Sequence, residues 1–161
     1  MNIAKLWMAP GGLHIEPAQA SDAETISRLH AQGFYRGWPR EDFAAYIAGR
    51  DTPVYVACDA RRKIAGFAMI RLAADEAELI TIAVDKGWRK KGVGIALMRA
   101  VFEDLLMTPA RKLFLEVAED NPAALRLYGK LGFKKLSERS GYYSRDNGQP
   151  ATAIVMARDL G

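Results

Sequence analysis

Apolar and polar positions along the chain alternate in short runs or recur every three to four residues in longer ones, and the two periods separate strands from helices. Residues 13–17, Leu-His-Ile-Glu-Pro, alternate apolar and polar and read as a first, edge strand that Pro17 closes. Ser21 is placed to cap a helix, with Glu24 three residues on to complete a capping box. Ile26 and Leu29 with His30 supply that helix's inward stripe, and it should stop near Gly33. An aromatic loop follows, Phe34-Tyr35-Arg36-Gly37-Trp38-Pro39, in which Pro39 suits the first position of a second helix over 40–49. Residues 54–58 and 64–72 are apolar runs flanking a polar turn at 59–63, the pattern of a hairpin. A further turn at 74–76 leads into Leu79-Ile80-Thr81-Ile82-Ala83-Val84, a β-branched run that reads as a buried strand.

The second half repeats the alternation of strand and helix. A basic, glycine-bearing turn at 85–94 opens a helix with Leu97, Val101 and Leu105 on one face, running to about Met107, where Thr108-Pro109 stops it. Residues 112–118 form a strand with apolar flanks, expected to be covered on both faces. Asp120 or Asn121 can cap the next helix, Pro122 suits its first turn, Ala124, Leu125, Tyr128 and Leu131 face inward, and Gly132 ends it. Residues 133–139 and 151–157 are the last strands, separated by a polar, tyrosine-bearing loop at 141–150. Residues 1–12 are a lead-in extension in which Trp7 and Met8 either dock on the body or belong to a flexible tail. With no repeat, low-complexity tract or linker, 1–161 is expected to be one α/β domain.

Composition changes this picture little. At 161 residues, 50% hydrophobic and 26% charged, the chain is long enough for a real core. The formal net charge of +4 fits an anionic ligand or a ribosomal or nucleic-acid neighbourhood without demanding either. The single cysteine, Cys58, excludes an internal disulfide and fits a reducing, cytoplasmic setting. No apolar run approaches a membrane span. Two histidines, His14 and His30, and one cysteine suggest no metal-ligand cluster, so structural or surface roles are expected for each.

The chemistry-bearing residues lie mainly in the second half. A strand feeding a helix through a basic glycine turn suggests an anion site, because the first helical turn has unpaired N–H groups and a partial positive charge. A phosphate loop of the Gly-Lys-Ser/Thr kind fails, since Ile95 and Ala96 follow Gly94; a dinucleotide fingerprint fails, since Leu97 stands where its third glycine belongs. The pattern that fits is Arg-x-x-Gly-x-Gly, met by Arg89, Gly92 and Gly94. Glu116 is out of place in an apolar strand. Burial would raise its pKa and suit it to accept a proton, but a solvent-facing strand end or an ion pair with Arg or Lys explains it too. On packing grounds Tyr128 belongs to the core. Phe34, Tyr35 and Trp38 fit either helix packing or one wall of a substrate groove.

Four features occur in order: Ile82-Ala83-Val84 at a strand end, Arg89-x-x-Gly92-x-Gly94, Asn121-Pro122-Ala123-Ala124, and Leu127-Tyr128-x-x-Leu131-Gly132-Phe133. Together they resemble the GCN5-related N-acetyltransferase (GNAT) superfamily over about residues 13 to 160. The points Ile-Ala-Val, Leu115-Glu116-Val117, Asn-x-Ala-Ala, Tyr142-Tyr143 and Ala153-Ile154-Val155-Met156 are most similar to the ribosomal-protein-alanine N-acetyltransferases of the RimI type. The resemblance implies a mixed, mostly antiparallel sheet of six to seven strands with about four helices, splayed between its two central strands. It implies acetyl-CoA as co-substrate and no metal. Ile82, Ala83 and Val84 would offer backbone groups to the acetyl and pantetheine part. Arg89, Lys90, Lys91, Gly92, Val93, Gly94 and Ile95 would cradle the pyrophosphate, and Asn121 would hydrogen-bond the cofactor arm. Glu116 matches the general base and Tyr128 the general acid. Tyr35, Trp38, Tyr142 and Tyr143 are candidates for the substrate side. The implied partner is a small-subunit ribosomal protein with an N-terminal alanine, with neither nucleic acid nor membrane bound directly; the oligomeric state stays open. The aromatic loop is longer than that type's pattern, and residues 1–12 are an addition to it. Acetylation of another protein N-terminus, a lysine or a small amine, and a non-catalytic acetyl-CoA-binding module, remain alternative readings.

Overall fold

The computed structural model describes residues 5–34, 36–143 and 151–161, with the backbone alone for 141–143. Among the described residues eight strands form one sheet: β1 (Trp7–Met8), β2 (His14–Pro17), β3 (Val54–Cys58), β4 (Ile64–Ala73), β5 (Glu76–Val84), β6 (Lys112–Ala118), β7 (Lys134–Tyr143) and β8 (Ala151–Asp159). Four α-helices accompany them: α1 (Ala23–Gly33), α2 (Arg40–Ala48), α3 (Val93–Leu105) and α4 (Pro122–Lys130). The strand order is β1-β2-β3-β4-β5-β6-β8-β7. Neighbours are antiparallel except β5 and β6, which run parallel as a strand–helix–strand crossover requires.

The sheet carries a core on each face. Ile26 and Leu29 of α1 and Phe43 of α2 pack with Val56, Phe67 and Met69 on one side. On the other, Leu97, Val101 and Leu105 of α3 and Tyr128 of α4 pack with Ile15, Ile70, Leu113 and Leu115. Strand β4 is buried without a break from Ile64 to Ile70 because both layers cover it. Full burial of each large apolar side chain contributes about 1.5–3 kcal/mol.

Four local expectations need correction. The sheet has one strand more than six to seven, because Trp7 and Met8 pair with Ile15 and His14; β2 is therefore not an edge strand. Trp7 is held by an edge-on contact with Tyr55 at 5.9 Å, while Lys5 reaches the buried carboxylate of Asp104 at 2.7 Å. Ser21 does not cap α1. A single 3-10 turn spans Ala20–Asp22, and Asp22 accepts from the Gln19 N–H at 2.7 Å because Arg62 draws its carboxylate inward. Pro39 precedes α2 in extended conformation instead of occupying its first turn. Helix α3 ends at Leu105, not Met107, where the Thr108 hydroxyl donates to the Leu105 carbonyl at 2.6 Å.

The splay expected between the central strands is present. Strands β5 and β6 pair only through Glu76–Lys112, Ala77–Leu113 and Glu78–Phe114. Beyond those pairs β5 stays on β4 as far as Val84, and β6 stays on β8 as far as Ala118, so a wedge opens between them.

Candidate active site

The glycine turn is shaped as an anion cradle. Lys90 has φ 62° and Gly92 φ 85°, so the backbone coils left-handed just before α3. Gly92 is the N-cap, and no side chain caps the helix. The first intrahelical bond runs from the Ala96 N–H to the Gly92 carbonyl. The N–H groups of Val93, Gly94 and Ile95 therefore have no acceptor within the helix, which is what an anion needs. Gly94 lies over the end of β5, where an added Cβ would come 4.0 Å from Val84. Arg89 turns back: its Nε donates to the Val84 carbonyl at 3.1 Å, tying the turn to the strand end. Lys90 and Lys91 are exposed, and the Lys91 ammonium lies 5.4 Å over the Trp88 ring. The N-terminal segment packs on this turn. An added Cβ at Gly11 would meet Trp88 at 2.7 Å, and one at Gly92 would meet Pro10 at 3.4 Å.

The wedge places the other candidates. Along β6, Leu113, Leu115 and Val117 are buried on the face shared with α3 and α4, whereas Lys112, Phe114, Glu116 and Ala118 are half-buried on the other. The expectation that both faces of this strand are closed thus fails at Glu116. Its carboxylate is 23% exposed and accepts from Arg139 of β7 at 2.8 Å, reaching across β8. Tyr128 is buried on the opposite face, edge-on to Phe133 at 5.7 Å. The sheet separates the two residues everywhere except at the wedge. Asn121 caps α4, its Oδ1 accepting from the Ala124 N–H at 3.2 Å, so its Nδ2 group is left as the donor. Ile82, Ala83 and Val84 form the half-buried end of β5 along the same opening.

Residues 23–133 match the family model described as "Acetyltransferase (GNAT) family". The chain belongs to that family. A ribosomal protein bS18-alanine N-acetyltransferase of Escherichia coli K12 is 39% identical over 95 residues, 59% of this chain. The match spans 64% of that relative's length, a little under two thirds. The N-alpha-acetyltransferase RimI of Mycobacterium tuberculosis H37Rv is 33% identical over 147 residues, 88% of this chain and 89% of the relative. The crystal structure of the E. coli ribosomal-protein-S18-alanine N-acetyltransferase superposes with a TM-score of 0.85 at 28% identity, covering 92% of this chain and 94% of that one. The splayed GNAT sheet expected from the motifs is therefore the fold of this chain.

In this GNAT chain the aromatic loop packs more tightly than its composition suggested. His30 is stacked between Phe34 at 4.1 Å and Trp38 at 4.6 Å, and its Nδ1 accepts from the Trp38 N–H at 3.2 Å. Ser27 donates to the Trp38 carbonyl at 2.7 Å. Trp38 is half-buried against Phe43 and Tyr46, which gives it a packing role beside any substrate role. Burial pushes the His30 imidazole down to about 4, so it is neutral. His30 Nε2 and Thr81 Oγ1 are buried without a hydrogen-bond partner among the described residues. Tyr35 and the side chains of Tyr142 and Tyr143 lie outside the described residues. No helix among the described residues is long and apolar enough to cross a membrane. Sequence reasoning, which expected structural or surface roles for His14 and Cys58 and no metal-ligand cluster, missed one gathering of side chains: His14, Glu16 and Cys58 come together between β2 and β3.

Proposed function

We propose that this chain is an acetyl-CoA-dependent Nα-acetyltransferase acting on the N-terminal alanine of a small-subunit ribosomal protein, by direct transfer within a ternary complex. The observation that carries the reading is the wedge between β5 and β6. It opens just beyond the Glu78–Phe114 pair, with Glu116 on its β6 wall, and widens toward Val84 and the anion cradle at the start of α3. The unpaired N–H groups of Val93, Gly94 and Ile95 fit a pyrophosphate. The edge of β5 from Ile82 to Val84 fits the amide-bearing arm, and the Asn121 Nδ2 group adds a donor to it. When bound, acetyl-CoA supplies an activated thioester.

This chain's residues then move two protons. A protein N-terminal amine is mostly protonated at neutral pH and cannot attack a carbonyl in that form. Glu116 takes one proton from the acceptor ammonium, and the freed lone pair forms the new C–N bond as the C–S bond breaks; the second proton shed by the nitrogen restores the phenol once Tyr128 has given its own to sulfur, and Glu116 returns its proton to solvent. The Tyr128 phenol gives a proton to the departing sulfur. Each transfer contributes roughly 10²–10⁴-fold, and alignment of the two reactants contributes further. Arg139 occupies Glu116 before the acceptor arrives, so the incoming ammonium competes with a guanidinium for the same carboxylate. The E. coli relative and the structural neighbour act on the alanine of ribosomal protein bS18, which supports the acceptor, and the M. tuberculosis relative is an Nα-acetyltransferase, which supports the coarser class.

The test is CoA release from acetyl-CoA with a peptide beginning Ala-Arg-Tyr-Phe, against the same peptide with a blocked N-terminus. Release with only the free N-terminus supports the proposal. Release with neither, while acetyl-CoA still binds, refutes the acceptor and directs attention to a lysine, a small amine or a binding module.

A further inference from the structure

We propose that His14, Glu16 and Cys58 form a site for one divalent metal ion of the zinc class, clipping β2 to β3 on the face that carries α1. In the antiparallel register His14 lies directly opposite Cys58, and Glu16 lies two residues along on the same face. Three different ligand types therefore emerge side by side. His14 Nε2 is 3.5 Å from the Cys58 sulfur and 2.9 Å from Glu16 Oε2, and all three ligand atoms lie within 4.8 Å of one another.

The geometry distinguishes a ligand set from a catalytic relay. A Cys–His–carboxylate relay uses both ring nitrogens, one toward the nucleophile and one toward the acid. Here sulfur and carboxylate both approach the same nitrogen, Nε2. Convergence of S, N and O on one point is the arrangement of a metal site. A tetrahedral zinc ion with Zn–N near 2.0 Å and Zn–S near 2.3 Å sets nitrogen and sulfur about 3.5 Å apart. The nitrogen–oxygen separation is that of a hydrogen bond. It must widen by about 0.4 Å when the ion replaces the shared proton, a small rotation of a carboxylate that is 21% exposed.

The surroundings complete the site. Arg62 donates from Nε to Glu16 Oε1 at 2.5 Å, leaving Oε2 turned toward His14. The guanidinium is itself fixed on both oxygens of Asp22, at 2.9 and 3.1 Å. Such an outer hydrogen bond on a ligating carboxylate is the usual second layer of a metal centre. Glu16, Asp22 and Asp59 outnumber Arg62 around the sulfur. That surplus of negative charge beside the sulfur favours a cation. Cys58 closes the site from inside, and His14 and Glu16, each 21% exposed, give it a solvent-facing side. The site lies on β2 and β3, with β4 between it and the wedge, so it stands independently of the acetyl-transfer proposal.

The experiment uses untagged, chelator-stripped protein without CoA, whose own thiol binds metals. Cobalt(II) is titrated in while the near-ultraviolet thiolate-to-cobalt charge-transfer absorption is followed, and zinc(II) is then added in competition. Cys58 is the only cysteine in the chain, so the band has one origin. The expected result is a 1:1 complex that zinc displaces. Cys58→Ser should lose the band, and His14→Ala and Glu16→Gln should each weaken binding at least tenfold. Absence of the band at saturating cobalt overturns the site. So does a band unaffected by His14→Ala and Glu16→Gln, which would mark a lone thiol. Should Cys58→Ser not fold, His14→Gln at the half-exposed position decides the question in the same titration.

Discussion

Gly11 and Gly12 offer a controlled test of whether the N-terminal segment supports the anion cradle. Both have left-handed backbones, with φ of 71° and 77°. Alanine costs about 1–2 kcal/mol in that region, partly offset by about 0.4–1 kcal/mol from a stiffer unfolded chain. At Gly12 an added Cβ meets nothing within 4 Å, so the backbone cost is the whole effect, about 1 kcal/mol. At Gly11 the same atom would lie 2.7 Å from one carbon of Trp88 and 3.3 Å from another. Carbon contacts are ordinarily about 3.5–4.0 Å, so the indole must retreat by about 1 Å, and overpacking of this kind adds about 1–3 kcal/mol. With about 2.1 cal/mol/K of unfolding entropy per residue, 1 kcal/mol lowers the melting temperature of a chain this size by about 3 °C. Gly12→Ala should therefore melt about 3 °C lower and Gly11→Ala about 6–12 °C lower. Because Trp88 and Lys91 share the turn that ends at Gly92, acetyl-CoA affinity should weaken several-fold in Gly11→Ala alone. Thermal melts and a calorimetric titration measure both. Equal melting temperatures refute the packing argument, and an unchanged affinity in a clearly destabilised Gly11→Ala refutes the coupling to the cradle.

Other substitutions test other parts of the molecule. Glu116→Gln and Tyr128→Phe should each lower kcat by roughly 10²–10⁴-fold with little change in acetyl-CoA affinity, and near-normal turnover in both removes the acid–base assignment. Tyr55→Phe deletes the phenol that donates to buried Asp104 at 2.5 Å; urea denaturation should show a loss of about 1–3 kcal/mol, and no loss would mean that Lys5 alone satisfies the carboxylate. His30 resists protonation in the folded state, so the unfolded chain takes up a proton first as pH falls. Stability should decline from about pH 6.5 to about 4, by at most about 1.4 kcal/mol per unit, and be unaffected above that window. His30→Asn keeps an acceptor for the Trp38 N–H and should flatten that decline in acid-unfolding curves.

What the sequence could reveal depended on whether the cause was local. Strands β3 to β6 and helices α3 and α4 follow from runs of apolar residues and from punctuation by Gly92, Asn121, Pro122 and Gly132, so their positions were readable. The pair Trp7–Met8 is too short to show a period, and only Tyr55 and Ile15 make it a strand. Ser21 and Glu24 spell a capping box, but Arg62, forty residues away, takes Asp22 inward and moves the turn. Glu116 was recognised as unusual for its strand, whereas its ion pair depends on Arg139 lying across β8. Likewise His14 and Cys58, separated by 44 residues, meet only because β2 and β3 pair in one register.

The strand order has a consequence for how the molecule is made. From β1 to β5 each strand pairs with the one before it, so that half can zip up in the order of synthesis, with α1 and α2 covering it. The other half cannot. Strand β8 lies between β6 and β7, so until it arrives β6 has only its three-pair ladder with β5, and β7 has no partner strand. Non-local pairing of this kind is the slow part of assembly and leaves unpaired edges in the meantime. Arg139 meets Glu116 only when that insertion is finished. A growing chain therefore carries a nearly complete anion cradle well before the wall of the wedge is in place, and the candidate site is assembled only when β8 is inserted.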